Sequence, residues 1–228
     1  MIKPTNPFDL AEIARSYDTW YESPLGAAAD ALEKALIYRL ARPLPKEAAL
    51  DVGTGTGHFA CELADMGLRV TAIDPSEAML NVARAKRNDI VWQRAAAEAL
   101  PFSDNSFDLV LSVTTLEFVQ DPEGALREMY RVTKPKGRLV VATLNRDSSW
   151  GQMYLEQARL GQLPFRDARL LSADDFQTLV SQLGPVRWNS AVFFPPSGRG
   201  MAWRYLLEGI GQRLNRRHGA LLVARIDK

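Results

Sequence analysis

A glycine-rich turn follows a short apolar run in the stretch LDVGTGTGHFA, residues 50–60. Gly53, Gly55 and Gly57 alternate there, and the residues after them have the pattern of a helix. Glycines in such a turn let backbone N–H groups and the start of a helix lie close to a ligand. The sequence therefore predicts a ligand-binding loop between a strand and a helix.

The spacing of the loop restricts the ligand. A dinucleotide fingerprint, G-x-G-x-x-G, needs one more residue between its glycines, and the loop lacks the lysine of a phosphate-binding P-loop. Asp74 ends the next β-rich run about 20 residues further on, where an acidic side chain can accept hydrogen bonds from ribose hydroxyls. Asp51, just before the loop, would repel a pyrophosphate and attract an ammonium group. The pattern favours a nucleoside that carries a positive charge and no phosphate.

Two further side chains are candidates for proton transfer. His58 follows the loop directly and is either a general base or a residue that lines the entrance of the site. Glu117 follows the fourth predicted strand, where it could take a proton from a hydroxyl or amine, or could be a carboxylate at the start of a helix. Both are candidate catalytic residues.

Strand and helix patterns alternate five times in the first two thirds of the chain, which predicts a parallel, doubly wound α/β sheet. A different tail follows, with a helix that begins after Ser172, a strand, an insertion rich in Pro, Gly and Arg, and a last strand. In such sheets ligands bind beyond the carboxyl ends of the strands, which is where the glycine turn must lie. The predicted strands are 48–52, 69–74, 90–93, 107–113, 137–144, 186–194 and 220–226.

Composition narrows the class of protein. The 228 residues include 46% hydrophobic ones, enough for one ordinary domain, and 28 Lys and Arg against 27 Asp and Glu leave no strong field for nucleic acid or an anionic membrane. One cysteine and two histidines give no internal disulfide and no metal-site spacing. The chain has no signal-peptide pattern and no run of about 18 apolar residues, so we expect a cytoplasmic protein without a membrane span or a metal.

Four motifs occur in order, LDVGTGTG, VTAIDPSEAML, AEALPFSDNSFDLVLS and ALREMYRVTKPKGRLVVATLN. From about Tyr17 to Asn145 the chain resembles the class I S-adenosylmethionine-dependent methyltransferases, in the broad subgroup that includes quinone-ring methyltransferases. The resemblance implies a Rossmann-like, seven-stranded sheet, mostly parallel with an antiparallel last strand and helices on both faces. It also implies that S-adenosylmethionine lies across Gly53–Gly57 with Asp74 on its ribose. The residues expected to bind this donor are Tyr21, Asp51, Gly53, Thr54, Gly55, Gly57, Asp74, Pro75, Met79, Ala97, Glu98 and Val113.

Two positions depart from the family pattern. Ala96 stands where many members have an aspartate that binds the adenine amino group, which leaves the backbone N–H of Ala97 as a contact, while an extended segment would direct Glu98 elsewhere. Lys136 stands for a glycine in KPKG, and we expect Gly137 to take the positive φ of that turn.

The whole chain, 1–228, is expected to form one domain with three parts. Residues 1–43 form an N-terminal helical cap, whose aromatics Tyr17, Trp20 and Tyr21 either cover the donor or brace the core. Residues 44–145 form the cofactor-binding core, and 195–217 a helical insertion that covers the substrate side. The segment 199–218 has five arginines and one glutamate, and this excess of positive charge could attract an anionic acceptor. Alternatively they lie on the solvated face of a helix whose apolar residues pack inward, namely Trp203, Leu206, Leu207, Ile210 and Leu214.

The expected activity is transfer of a methyl group to a small molecule by in-line displacement, for which proximity and exclusion of water are the main factors. The chain lacks the [DN]PP[YFW] motif of amino methylation and the Pro-Cys pair of cytosine methylation, so nucleic acid is not expected as a partner. A non-catalytic binding module and a nicotinamide-dependent oxidoreductase are the alternatives. The acceptor and the oligomeric state stay open.

Overall fold

The computed structural model describes residues 6–228, and its centre is one seven-stranded sheet. The sheet order is β3-β2-β1-β4-β5-β7-β6. Neighbours from β3 to β5 are parallel, and β7 is antiparallel to both β5 and β6, which confirms the predicted sheet. The strands are β1 Ala48–Val52, β2 Arg69–Asp74, β3 Val91–Arg94, β4 Phe107–Val113, β5 Thr133–Leu144, β6 Val186–Ala191 and β7 Leu221–Asp227.

Helices cover both faces of the sheet. Side chains of α3 and α4 belong to the apolar cluster on one face, and those of α6 and α8 to the cluster on the other. None of the helices within residues 6–228 has the length and apolar composition needed to cross a membrane. The helices are α1 Ala11–Ser16, α2 Thr19–Glu22, α3 Pro24–Ala41, α4 His58–Asp65, α5 Glu77–Lys86, α6 Pro122–Val132, α7 Ser149–Arg159, α8 Ala173–Ser181 and α9 Arg204–Leu214.

Side-chain caps fix where the helices near the site begin. Ser76 caps α5, with its Oγ accepting from Met79 N at 3.2 Å, and Ser172 caps α8 in a reciprocal capping box with Asp175. Both caps were predicted from the sequence and are confirmed.

The strand order reverses between β1 and β4. The carboxyl ends of these neighbouring strands therefore open a crevice, and the loops after β1, β2 and β4 meet there.

The turn in KPKG differs from the prediction. Lys136 takes the positive φ, at 67°, and Gly137 does not. A Cβ on Gly137 would lie 2.8 Å from Lys134 O and 2.9 Å from Asp108 O, so the glycine is required by a close approach of backbone. Lys136 takes the left-handed conformation, and its backbone N–H donates to Lys228 O at 2.7 Å.

The orientation of α9 also contradicts the prediction. The face that contacts β6 and the loop after it carries Glu208 and Gly211, both buried. Glu208 Oε2 accepts a hydrogen bond from Val192 N at 3.0 Å, and Gly211 lies against the ring of Phe193. Of the apolar residues predicted to pack inward, Leu207 alone packs against the core; the other four are exposed, namely Trp203, Leu206, Ile210 and Leu214.

Candidate functional site

A cavity of about 760 Å³ lies at the carboxyl ends of β1, β2 and β4. It is lined by the glycine loop, the end of β2, the segment after β3, the turn after β4 and part of the N-terminal segment. Its volume falls in the range of small-molecule sites in proteins. Twelve of the fourteen predicted site residues line it, and the two exceptions are Gly57 and Glu117.

The glycine loop presents its middle to the cavity. Gly53 and Thr54 both donate their backbone N–H groups to Ile73 O at 2.9 Å, which holds the loop against β2. Gly55 has a φ of +56°, and a Cβ there would meet no protein atom within 4 Å, so it would project into the cavity. Gly57 differs, because a Cβ there would lie 2.6 Å from the ring of Trp92. Packing against β3 therefore requires Gly57, and this residue does not line the cavity.

Asp74 is held as a fixed acceptor at the edge of the cavity. Its Oδ2 accepts from Gly55 N and its Oδ1 from Ser76 N, both at 2.8 Å. Burial raises its pKa to about 6, although both backbone hydrogen bonds oppose that shift. The lone pairs that these N–H groups leave open are available to a hydroxyl-bearing ligand.

Asp51 is a second buried carboxylate on the same cavity. Its Oδ2 accepts from Thr54 Oγ1 at 2.6 Å. Burial, with a smaller contribution from the charge of Asp74, raises its pKa to about 6. Two acidic groups in one poorly solvated cavity favour a ligand with a positive charge.

The N-terminal segment closes over the glycine loop. Asn6, Pro7, Phe8, Tyr17 and Tyr21 line the cavity from this side. The Tyr21 ring is stacked on the His58 ring, with centroids 3.8 Å apart and planes inclined by 8°. His58 Nε2 lies 2.8 Å from Asp30 Oδ1 on α3, so one ring nitrogen of the candidate base already has a partner.

Asp18 fastens the same segment to the core. Its Oδ1 accepts from Thr56 Oγ1 at 2.6 Å, and its Oδ2 pairs with Lys86 Nζ at 2.6 Å. These contacts join the segment to the glycine loop and to the end of α5. Phe8 O accepts from Ser76 Oγ at 2.7 Å, which adds a third attachment.

The segment after β3 turns where an extended course was predicted. Ala99 N donates to Ala96 O at 3.2 Å, and this turn brings Glu98 to the cavity, beside Ala96 and Ala97. Glu98 Oε1 accepts from Gln120 N at 2.9 Å. The expectation that Glu98 points elsewhere is wrong, because a turn reverses the sidedness that an extended segment would give. Pro75, Met79 and Val113 complete this side of the cavity.

Glu117 lies behind the cavity wall, fully buried in the turn after β4. Its Oε1 accepts from Thr143 Oγ1 at 2.8 Å and from Leu144 N, whereas Oε2 has no hydrogen-bond partner within residues 6–228. Burial raises its pKa to about 7. The alternative of a helix-start carboxylate is wrong, since α6 begins at Pro122 and is capped by Asp121.

Several lining residues were not predicted from the sequence. Thr114 and Thr115 follow β4, and Thr115 Oγ1 donates to Val52 O at 3.0 Å, so it fills the space that a side chain on Gly53 would need. Arg169, in the loop before α8, is the one arginine or lysine among the described lining residues. Between residues 6 and 228 no group of three or more His, Cys, Asp or Glu side chains is placed to hold a metal ion.

Comparison with known proteins decides the family. A family model described as a methyltransferase domain matches residues 50–141. The chain is 30% identical over 171 residues to the malonyl-[acyl-carrier protein] O-methyltransferase of Serratia marcescens, which covers 72% of this chain and 67% of that protein. The chain belongs to the S-adenosylmethionine-dependent methyltransferases. It is also 50% identical over 99 residues to the demethylmenaquinone methyltransferase of Renibacterium salmoninarum, covering 43% of this chain and 42% of that one.

A solved structure is similar over nearly the whole methyltransferase chain. It is an S-adenosylmethionine-dependent methyltransferase from Thermotoga maritima, described as a possible histamine N-methyltransferase, with a TM-score of 0.74 and 28% identity. The similarity covers 95% of this chain and 97% of the Thermotoga protein. The enzyme therefore has the predicted fold and uses S-adenosylmethionine as its methyl donor.

Proposed function

We propose that the cavity binds the donor in the orientation that the sequence predicts. Asp74 accepts hydrogen bonds from the two ribose hydroxyls, and Asp51, with Thr54, faces the ammonium group. Gly55 supports this assignment, because a Cβ there would take up space in the cavity and touch nothing else. Tyr21 covers the sulfonium end, where an aromatic face favours a cation.

The acceptor we infer is a small molecule. The N-terminal segment lies over the donor loop and is attached to the core at three points, so an acceptor reaches the methyl group inside the cavity. The two curated relatives are named for a demethylmenaquinone and for a malonyl group on a carrier protein, each of which presents a small reacting group. The cavity, covered on one side by the N-terminal segment, is the observation that carries this proposal.

The residues of the chain align the acceptor, exclude water and accept the proton that the acceptor loses. The bound donor supplies an electrophilic methyl group on a sulfonium. The cap aligns the acceptor behind that methyl group and excludes water. As the new bond to the methyl carbon forms and the bond to sulfur breaks, the proton that the acceptor loses is relayed to Glu117 Oε2 across the turn after β4, which separates this oxygen from the cavity. A buried carboxylate with a pKa raised to about 7 and one unpaired oxygen suits this role.

His58 is better suited to positioning than to proton transfer. Its Nε2 is paired with Asp30 and its ring carries the stacked Tyr21. We propose that Asp30 holds the His58 ring in place, and that this ring in turn positions the stacked Tyr21 ring over the donor.

Removing residues 1–22 tests whether the N-terminal segment covers the donor. The truncated enzyme keeps Ser23, the N-cap of α3, so it is expected to unfold cooperatively like the full chain. Its dissociation constant for S-adenosylmethionine should rise at least about tenfold, or roughly 1.4 kcal/mol, measured by calorimetry. Tyr21→Ala should reproduce part of the loss, and Tyr21→Phe, which keeps the stacked ring, should not. Native affinity in the truncated enzyme would show that the segment supports the fold without covering the donor.

Asp74→Asn tests the ribose contact and its pH dependence. The substitution should weaken donor binding by roughly 1.5–3 kcal/mol, about ten- to a hundredfold. In the native enzyme the ionised carboxylates favour binding, so affinity should fall as the pH drops below about 6, where Asp74 and Asp51 gain protons. The Asn variant should lose the part of this dependence that comes from Asp74. An identical pH profile in both proteins would remove Asp74 from the account.

Glu98 is proposed to replace the aspartate that Ala96 lacks. The turn at 96–99 places Glu98 on the cavity wall, with Oε1 accepting from Gln120 N, and we propose that Oε2 accepts from the adenine amino group. Glu98→Ala should weaken donor binding by about 1.5–3 kcal/mol. Adding Ala96→Asp should restore most of that affinity in the double variant, and should add little to the native enzyme. If Ala96→Asp strengthened binding equally in both backgrounds, Glu98 would not contact the adenine.

A thermal-shift titration separates the enzyme from its alternatives. S-adenosylmethionine and adenosylhomocysteine should both raise the melting temperature, because each binds the native state, and NAD should not. A response to NAD alone would favour an oxidoreductase. A binding module would respond to the donor without ever releasing adenosylhomocysteine in the presence of candidate acceptors.

A further inference from the structure

The outer face of α9 and the turn before it is apolar and exposed. Trp203, Leu206, Ile210 and Leu214 are 68%, 58%, 49% and 83% exposed. Their spacing of three, four and four residues places them on one side of the helix. We call these four residues the α9 face.

The contacts on the opposite side of α9 hold this orientation. Rotating the helix would bring a bulkier residue to the position of Gly211, where even a Cβ would lie 2.3 Å from the Phe193 ring. It would also withdraw Glu208 from Val192 N. Arg39 Nη2 on α3 donates to Gln212 Oε1 at 2.6 Å, which adds a polar contact along the same side. The α9 face is therefore presented to solvent by specific contacts.

Cations flank the α9 face, and the acidic residue of the segment is turned away from it. Arg199 and Arg213 are exposed. Arg216 is exposed too, but its guanidinium lies 4.5 Å from the centroid of the Trp188 ring, which packs on the other face of the sheet, so Arg216 is not counted here. Arg217 is paired with Asp174, so it contributes less. Glu208, the one acidic residue in 199–218, is buried on the inner side. The exposed charge beside the apolar residues is thus positive, although the whole chain is nearly neutral.

We propose that the α9 face docks on an anionic lipid surface. A helix with Trp and Leu on one side and arginines beside them is suited to lie in a membrane interface, with the apolar side among the acyl chains and the cations at acidic headgroups. A second copy of this chain fits less well, because a two-fold contact through the α9 face would bring the arginines of both copies together with no exposed acid between them.

Co-sedimentation of the full chain with lipid vesicles tests the proposal. Vesicles that contain phosphatidylglycerol should pull down the native protein, and vesicles of phosphatidylcholine alone should pull down much less. Ile210→Glu with Leu214→Glu should weaken binding at least about tenfold, since both exposed residues are predicted to enter the lipid. The matched control is Leu44→Glu with Leu160→Glu, which adds the same two negative charges at leucines that are 60% and 59% exposed outside the α9 face, and it should bind like the native protein.

Two further readouts make the result decisive. Lipids brominated in the acyl chain should quench Trp203, and the quenching should disappear in Trp203→Phe. Equal melting temperatures for the native chain and the double variant should show that the substitutions leave the fold intact. Failure of the native chain to bind acidic vesicles would overturn the proposal, as would equal binding by the double variant. A dimer in light scattering that the double variant abolishes, without vesicle binding, would assign the face to self-association instead.

Discussion

Replacing Gly55 with valine is expected to abolish binding of S-adenosylmethionine while the fold survives. A Cβ at this position meets no protein atom within 4 Å, so the valine side chain would lie in the cavity where the donor is proposed to sit. We expect a loss of at least about a hundredfold in affinity, or roughly 2.8 kcal/mol, measured by calorimetry.

The control must separate a blocked cavity from backbone strain. Gly55 has a φ of +56°, where an L-residue is strained by about 1–2 kcal/mol. Gly161 offers the matched position, because its φ is +72°, a Cβ there also meets nothing within 4 Å, and it lies outside the cavity. Gly161→Val should lose similar stability and keep native donor affinity. Equal affinity losses in the two variants would attribute the effect to strain, and the loop would lose its assigned role.

Glu117→Gln is expected to slow methyl transfer without weakening donor binding. Glutamine keeps the oxygen that accepts from Thr143 and Leu144 but cannot take a proton from the acceptor. A lost general base typically costs about 10²- to 10⁴-fold in rate. Donor affinity should stay native, because Glu117 does not line the cavity. An unchanged turnover number would show that Glu117 takes no part in proton transfer, and that catalysis depends on alignment of the acceptor and exclusion of water alone.

The same variant makes an independent prediction about stability. Burial raises the pKa of Glu117 from 4.5 to about 7, so the native state holds this proton more tightly than the unfolded chain does. The stability that this proton contributes is fully present below about pH 4.5 and is lost as the pH rises through about 7. Glutamine resembles the protonated form. At pH 8 the variant should be more stable than the native enzyme, by on the order of 1–3 kcal/mol in urea denaturation, and near pH 4.5 the difference should vanish.

A variant that is less stable than the native enzyme at both pH values would contradict this account. It would mean that Glu117 is held ionised by contacts that glutamine cannot make. The comparison therefore tests the environment of Glu117 separately from its role in catalysis.

The features that the sequence predicts correctly depend on local chemistry. Alternating strand and helix periods imply a doubly wound sheet, and the carboxyl ends of its strands bring Gly55 and Asp74 together although they are far apart in sequence. Ser76 and Ser172 are short polar residues before apolar helical patterns, and each caps its helix.

The features that were mispredicted depend on contacts between distant segments. The apolar period of residues 203–214 indicates that five apolar residues share a side, but contacts with Phe193 and Val192 set the orientation of the helix and leave four of the five exposed. Gly57 fits the pattern of a ligand loop, yet the Trp92 ring on β3 is what requires it. Arg169 lies in a loop without a pattern of its own, so no sequence signal places it at the cavity.

The most direct test of the account is to incubate the enzyme with S-adenosylmethionine labelled in its methyl group and an extract separated into small molecules, nucleic acids and proteins. The account predicts that label enters the small-molecule fraction, with release of an equal amount of adenosylhomocysteine, and that Gly55→Val abolishes both. Label that appears in nucleic acid or protein instead, or no release of adenosylhomocysteine with any fraction, would contradict it.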